Sequence, residues 1–232
     1  MKYIYNKYSK FLLALLLFFF GSIFQVIPIL IFNLDANNIG ENTQILLTLF
    51  SNTIIAFILI LFYFKDIKND IKKFKENKSE LLKKSFKIWV IGLILMASSN
   101  VIINKISPNE IANNEESIRS MISVSPYLML INTAIFAPIV EELVFRKSFR
   151  TVFKNNLLFV IVSGIVFGGL HVVLSIENVY DYLYLIPYCS LGISLSYMYY
   201  KADNICIPII MHMIHNFIIT VMNILVVGLI IC

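Results

Sequence analysis

The sequence predicts an all-α fold: a polytopic transmembrane helical bundle of about seven spans with its N-terminus in the cytoplasm. Three observations carry this expectation. The 232 residues are 59% hydrophobic and 14% charged, against about 25% charged in an ordinary soluble domain, and the mean hydropathy is +0.81. The apolar residues gather in seven segments near the length of about 20 residues that crosses a bilayer. The segments between them alternate in charge, as the positive-inside rule requires. No internal repeat and no soluble module interrupts the pattern, so residues 1–232 read as a single integral membrane domain. The net charge of +5 is clustered in loops. That favours membrane lipids as partners and argues against nucleic acid.

The first span is expected from Phe11 to Phe32, behind Lys2, Lys7 and Lys10. It is longer than a signal-peptide core and no small-residue cleavage site ends it, so it is read as uncleaved. Asp35 and Glu41 precede the second span, Ile45 to Phe64. The lysine-rich stretch from Lys65 to Lys87 follows, with helix-like apolar spacing at Ile67, Ile71 and Phe74. It reads equally as an amphipathic helix on an anionic leaflet or as a solvated loop. The third span is Ile88 to Ile103. The next loop carries Glu110, Glu115 and Glu116 against Lys105 and Arg119. The fourth span, Pro126 to Val140, is short unless it continues through Glu141 and Glu142 toward Lys147, Arg150 and Lys154. Leu157 to Leu174, Tyr182 to Tyr200 and Ile205 to about Ile230 complete the set, with Glu177 and Asp181, then Lys201, between them. Cys189, Cys206 and Cys232 show neither paired nor metal-type spacing and read as small buried hydrophobes. The terminal "LIIC" does not fit a prenylation signal.

The polar residues inside the spans are the functional candidates, because ionisable groups are costly in a bilayer. All three histidines, His171, His212 and His215, lie in apolar segments. Asn156 is midway between positions 141 and 171. A helical hairpin turning there sets Glu141 and His171 at equal height, roughly 20 Å from the turn. Glu142 and Arg146 are i,i+4 neighbours that can pair, while Glu141 points about 100° away and stays free as a general base. His212 and Asn216 share a helix face, with His215 as a neighbour. Phe167 can pack on His171, Gly164, Gly168 and Gly169 thin that helix for close packing, and Pro138 can bend its own. Acid, imidazole and amide on three spans suit water activation and oxyanion stabilisation.

These residues carry a resemblance. "EELVFR" (Glu141 to Arg146), "FGGLH" (Phe167 to His171) and "HMIHN" (His212 to Asn216) fit the ordered motifs EExxxR, FxxxH and HxxxN. The sequence thereby resembles the CAAX-protease and bacteriocin-processing family of intramembrane proteases, also called the Abi or Rce1-like family. The protease-like core spans about residues 125–220; the first three spans match only as membrane segments. The resemblance implies an intramembrane endopeptidase of the cytoplasmic membrane, acting on a peptide or lipidated-peptide substrate, with its site opening inward. Glu141 and His171 would activate water, His212 and Asn216 would stabilise the oxyanion, and Glu142 and Arg146 would hold the site. No cofactor is firmly expected. HExxH is absent, although two histidines and a glutamate are a donor set that zinc accepts with one position open. Glutamate-based activation without metal is the preferred reading. Two alternatives stand beside it: a bacteriocin-immunity protein that works by binding, and an ion- or proton-coupled transporter. The oligomeric state is left open.

Overall fold

The computed structural model describes residues 2–36, 38–107 and 111–231, with side chains within 8–226 of these. The expectations on Glu110, Cys232 and the side chains of Lys2 and Lys7 lie outside the described residues. The architecture is all-α, and no strand occurs among the described residues. In a bilayer each segment must satisfy its own backbone, so helices carry every crossing.

The order is α1 (Lys2–Phe20), a 3-10 turn (Gly21–Gln25), α2 (Val26–Ile31), α3 (Glu41–Phe62), α4 (Phe64–Ile106), α5 (Asn113–Val124), α6 (Pro126–Ile131), a π-helical turn (Asn132–Phe136), α7 (Ala137–Glu141), a second π-helical turn (Glu142–Ser148), α8 (Phe149–Val152), α9 (Asn156–Val173), a 3-10 turn (Val179–Tyr184), α10 (Leu185–Ala202) and α11 (Cys206–Ile231). Among the described residues, six stretches are long and apolar enough to cross a membrane: Tyr8–Ile31, Glu41–Phe62, Phe64–Ile106, Pro126–Val152, Asn156–Val173 and Cys206–Val226. The chain is a multi-pass membrane protein. The seventh expected span, Tyr182 to Tyr200, forms as α10 but is more polar than the rest. Its Ser194 and Ser196 are buried, which an internal helix tolerates because protein replaces lipid around it.

Two features depart from a plain reading of the spans. The lysine-rich stretch is helix, continuous with the third span as α4 and kinked at Asn77 (φ −126°, ψ 23°). The fourth span does run on through the Glu pair to Val152, but as α-helix interrupted twice by π-helical turns. Pro138 lies just beyond the first of them. It brings no N–H to the helical ladder, and a widened turn is one way a helix absorbs that loss.

The two ends of the bundle differ in charge. At one end Lys147 Nζ lies 3.5 Å from Asp70 Oδ2, which also accepts the Ile205 N–H at 3.2 Å. Asn204 Nδ2 donates to the Asp70 carbonyl at 2.7 Å, and Lys73 reaches Asp203 at 3.7 Å. At the other end Asn113 Nδ2 donates to the Ser175 carbonyl at 2.6 Å. Asn114 Nδ2 donates to the Tyr188 hydroxyl at 3.2 Å, and Asn223 Nδ2 to Glu115 Oε1 at 2.9 Å.

α9 and α10 pack closely through glycine. A Cβ on Gly164 would lie 2.6 Å from Ile193 Cα, and one on Gly168 would lie 2.5 Å from the Cys189 backbone nitrogen. Gly169 faces open space, so two of the three glycines singled out from the sequence carry the packing. Ser163 Oγ donates to the Phe145 carbonyl at 2.7 Å and lies 3.0 Å from Ser196 Oγ. This ties the second π-helical turn to the α9–α10 pair.

Candidate active site

Three helical stretches bring the candidate residues together. Glu142 and Arg146 are both 0% exposed, with Arg146 Nε 3.1 Å from Glu142 Oε2. The contact is ionic without hydrogen-bond alignment: the three guanidinium nitrogens and Glu142 Oε2 are buried without a hydrogen-bond partner. The guanidinium instead lies 4.4 Å from the Phe167 ring centroid, so charge and the ring's quadrupole hold it. Phe167 thus supports Arg146 as well as His171, whose ring centroid is 4.7 Å away.

His212 sits between the two glutamates. Its Nδ1 is 2.8 Å from Glu142 Oε1 and its Nε2 is 3.7 Å from Glu141 Oε2. Glu142 thus serves both Arg146 and His212, a sharing that no residue spacing encodes. With Glu142 accepting from Nδ1–H, the ring is fixed in orientation and Nε2 faces Glu141. The side chain of Glu141 is 15% exposed, against 0% for Glu142. One acid is therefore sealed and the other reachable. If His212 carries a proton, the cluster of Glu141, Glu142, Arg146 and His212 sums to zero charge, the condition under which buried charges are tolerated.

The other members complete the wall. His171 Nδ1 lies 2.9 Å from the Phe167 carbonyl. That bond makes Nδ1 the protonated nitrogen and leaves Nε2 as the acceptor. Its ring stacks on Tyr188 at 5.3 Å. Asn216 Nδ2 donates to the Thr133 carbonyl at 2.9 Å, inside the first π-helical turn, where backbone carbonyls depart from the regular α-helical ladder. His215, expected as a neighbour, is buried edge-on to Trp89 at 6.4 Å.

All of these except Glu142 and Arg146 line one cavity of about 820 Å³. Its floor is formed by Glu141, Phe167 and His212. From there it rises past Thr133, His171 and Asn216 to Asn100, Glu115 and Arg119. No lining residue lies on the lysine-rich side of the floor. The cavity leads to the α5 end, and the Lys147–Asp70–Asn204 contacts lie at the other. The sequence reading missed Asn132, Thr133, Tyr188 and Thr220 in this wall. Thr220 and Asn223 continue the face of His212 and Asn216 at helical spacing, and that stripe was a readable signal.

Among the described residues, no three His, Cys, Asp or Glu side chains converge into a set that could hold a metal ion. The residues do not fit the zinc alternative as they stand.

Residues 123–218 match the family model described as type II CAAX prenyl endopeptidase Rce1-like. Two curated proteins are similar. One is the "Putative membrane peptidase YdiL" of Bacillus subtilis (strain 168), 30% identical over 115 residues that make up 48% of this chain and 43% of that protein. The other is an "Uncharacterized protein" of Mycoplasma capricolum subsp. capricolum, 28% identical over 201 residues, 79% of this chain and 57% of that protein. The chain spans about half the length of the curated relatives it matches. No solved structure matches it.

Proposed function

We propose, from the premise that this chain belongs to the CAAX-protease and bacteriocin-processing family, that it is an intramembrane endopeptidase of the cytoplasmic membrane acting on membrane-associated peptides. The observation that carries the reading is His212 held between the sealed Glu142 and the reachable Glu141 on the floor of a cavity that also presents His171 and Asn216.

The roles follow from what each group can do with a proton. The Glu141 carboxylate takes a proton from a water in the cavity, and the hydroxide oxygen attacks the scissile carbonyl carbon. The C=O double bond opens to an oxyanion. His212 Nε2–H, oriented by Glu142, and Asn216 Nδ2 donate to that oxygen. The tetrahedral carbon then expels the amine, which takes its proton from Glu141. His171 Nε2 accepts from the attacking water and helps to orient it. Arg146 holds Glu142 in place opposite His212. The balance is one water and one peptide bond consumed, one carboxylic acid and one amine released, with Glu141 returned to its carboxylate.

The test is hydrolysis of prenylated and unmodified peptides by the purified protein and its Glu141→Ala variant. The expected result is cleavage by the parent alone. Equal cleavage by both sinks the assignment.

A further inference from the structure

The direction of the cavity bears on the substrate. Among the described Lys and Arg side chains, Lys105 and Arg119 are the ones at the α5 end. Arg119 is neutralised there, its Nε donating to Glu115 Oε1 at 2.9 Å. The opposite end gathers Lys65 to Lys87, Lys147, Arg150, Lys154 and Lys201. Such a bias sets the basic end in the cytoplasm. The cavity runs from Glu141 and His212 toward the other end, and its lining includes residues of α5 itself, among them Asn114, Glu115 and Ile118. α5 is pinned across that end by Asn113 to α9's C-terminal turn, by Asn114 to Tyr188 and by Glu115 to Asn223.

We infer that this protein takes its substrate from the extracytoplasmic side: an apolar peptide segment that enters beside α5 and descends to Glu141. The wall suits that ligand. Asn100, Asn114 and Asn216 amides at successive depths can meet a peptide backbone, while Met96, Met129 and Leu191 supply apolar surface for its side chains. A peptide arriving from the cytoplasm meets instead the Lys147–Asp70–Asn204 junction and the buried Leu143, Val144 and Phe145.

This inference rests on the endopeptidase reading for what the cavity binds, but its test does not need catalysis. Cys189, Cys206 and Cys232 are replaced by serine in the full chain. Single cysteines are then placed at the cavity mouth (Ile118→Cys, with Val101→Cys as the second, more exposed variant) and at the basic end (Lys75→Cys). Intact cells are treated with a membrane-impermeant maleimide before and after permeabilisation. Labelling of the two mouth positions in intact cells, with Lys75→Cys labelled only after permeabilisation, is expected. Mouth positions that label only after permeabilisation overturn the inference. So does labelling of Lys75→Cys in intact cells. In a second arm, purified Ile118→Cys carrying a bulky maleimide is expected to lose at least tenfold in peptide hydrolysis; unchanged hydrolysis also overturns it. Cleavage retained by Glu141→Ala would sink the endopeptidase reading while leaving the labelling pattern intact, so the two failures are distinguishable.

Discussion

Arg146→Gln isolates what the buried cluster contributes. In the parent, Arg146 and Glu142 are fully buried 3.1 Å apart, and Glu142 also faces His212 at 2.8 Å. Removing the guanidinium leaves two carboxylates against one imidazole in a site with no water access to Glu142. Breaking a buried pair from one side costs about 3–5 kcal/mol, and the Arg146–Phe167 contact at 4.4 Å is lost with it. At about 2–4 °C per kcal/mol for a chain of this size, the melting temperature in detergent falls by roughly 6–20 °C. Glu142→Gln/Arg146→Gln removes both charges, leaving Glu141 and His212 as a balanced pair. It is expected to recover at least half of that loss without restoring hydrolysis, because the Nδ1 side of His212 no longer faces the Glu142 carboxylate that orients it. Thermal unfolding followed by size-exclusion chromatography reads both variants. The reasoning is refuted by a single variant that melts within about 2 °C of the parent. It is equally refuted by a double variant no more stable than the single.

Other outcomes follow from the same geometry. Asn216→Ala is expected to lower kcat by about 100–1,000-fold with KM little changed, since it removes a donor needed mainly when the oxyanion forms; a pure KM effect would place Asn216 in binding instead. Gly168→Ala drives a methyl into the α10 backbone at 2.5 Å and is expected to destabilise by about 1–3 kcal/mol. Gly169→Ala meets nothing within 4 Å and should be neutral or gain up to about 1 kcal/mol of helix propensity; equal melting of the two would contradict the packing assignment. Peptide hydrolysis is expected to survive exhaustive dialysis against a chelator, because the described donors form no three-ligand set. Loss of activity that zinc restores would contradict it.

What the sequence made legible, and what it did not, has a physical boundary. Apolar length and loop charge are properties of single segments, so the helices and their order could be read directly. Ion pairs at i,i+4 are local too, and Glu142–Arg146 was visible for that reason. The hairpin count placed Glu141 and His171 in one region, and both line the same cavity. The position of His212 between the two acids depends on how α11 rotates against α7, and no residue spacing encodes a rotation between distant helices. The π-helical turns were hidden for a related reason. They open where side chains such as Asn216 and Ser163 capture carbonyls from Thr133 and Phe145, and those partners are remote in sequence. The direction in which the cavity runs is not encoded in the motif residues, which fix only its floor. Its walls are set by which half of each helix is filled, and here Asp70, Lys147 and Asn204 fill the basic half. A polar junction that closes one end of a bundle therefore decides from which side a site at mid-depth can be reached. Asp70→Asn probes that closure: it weakens the Lys147 contact and the Ile205 cap together and is expected to cost about 1–3 kcal/mol. An unchanged melting temperature for Asp70→Asn would mean that apolar packing alone seals the basic end.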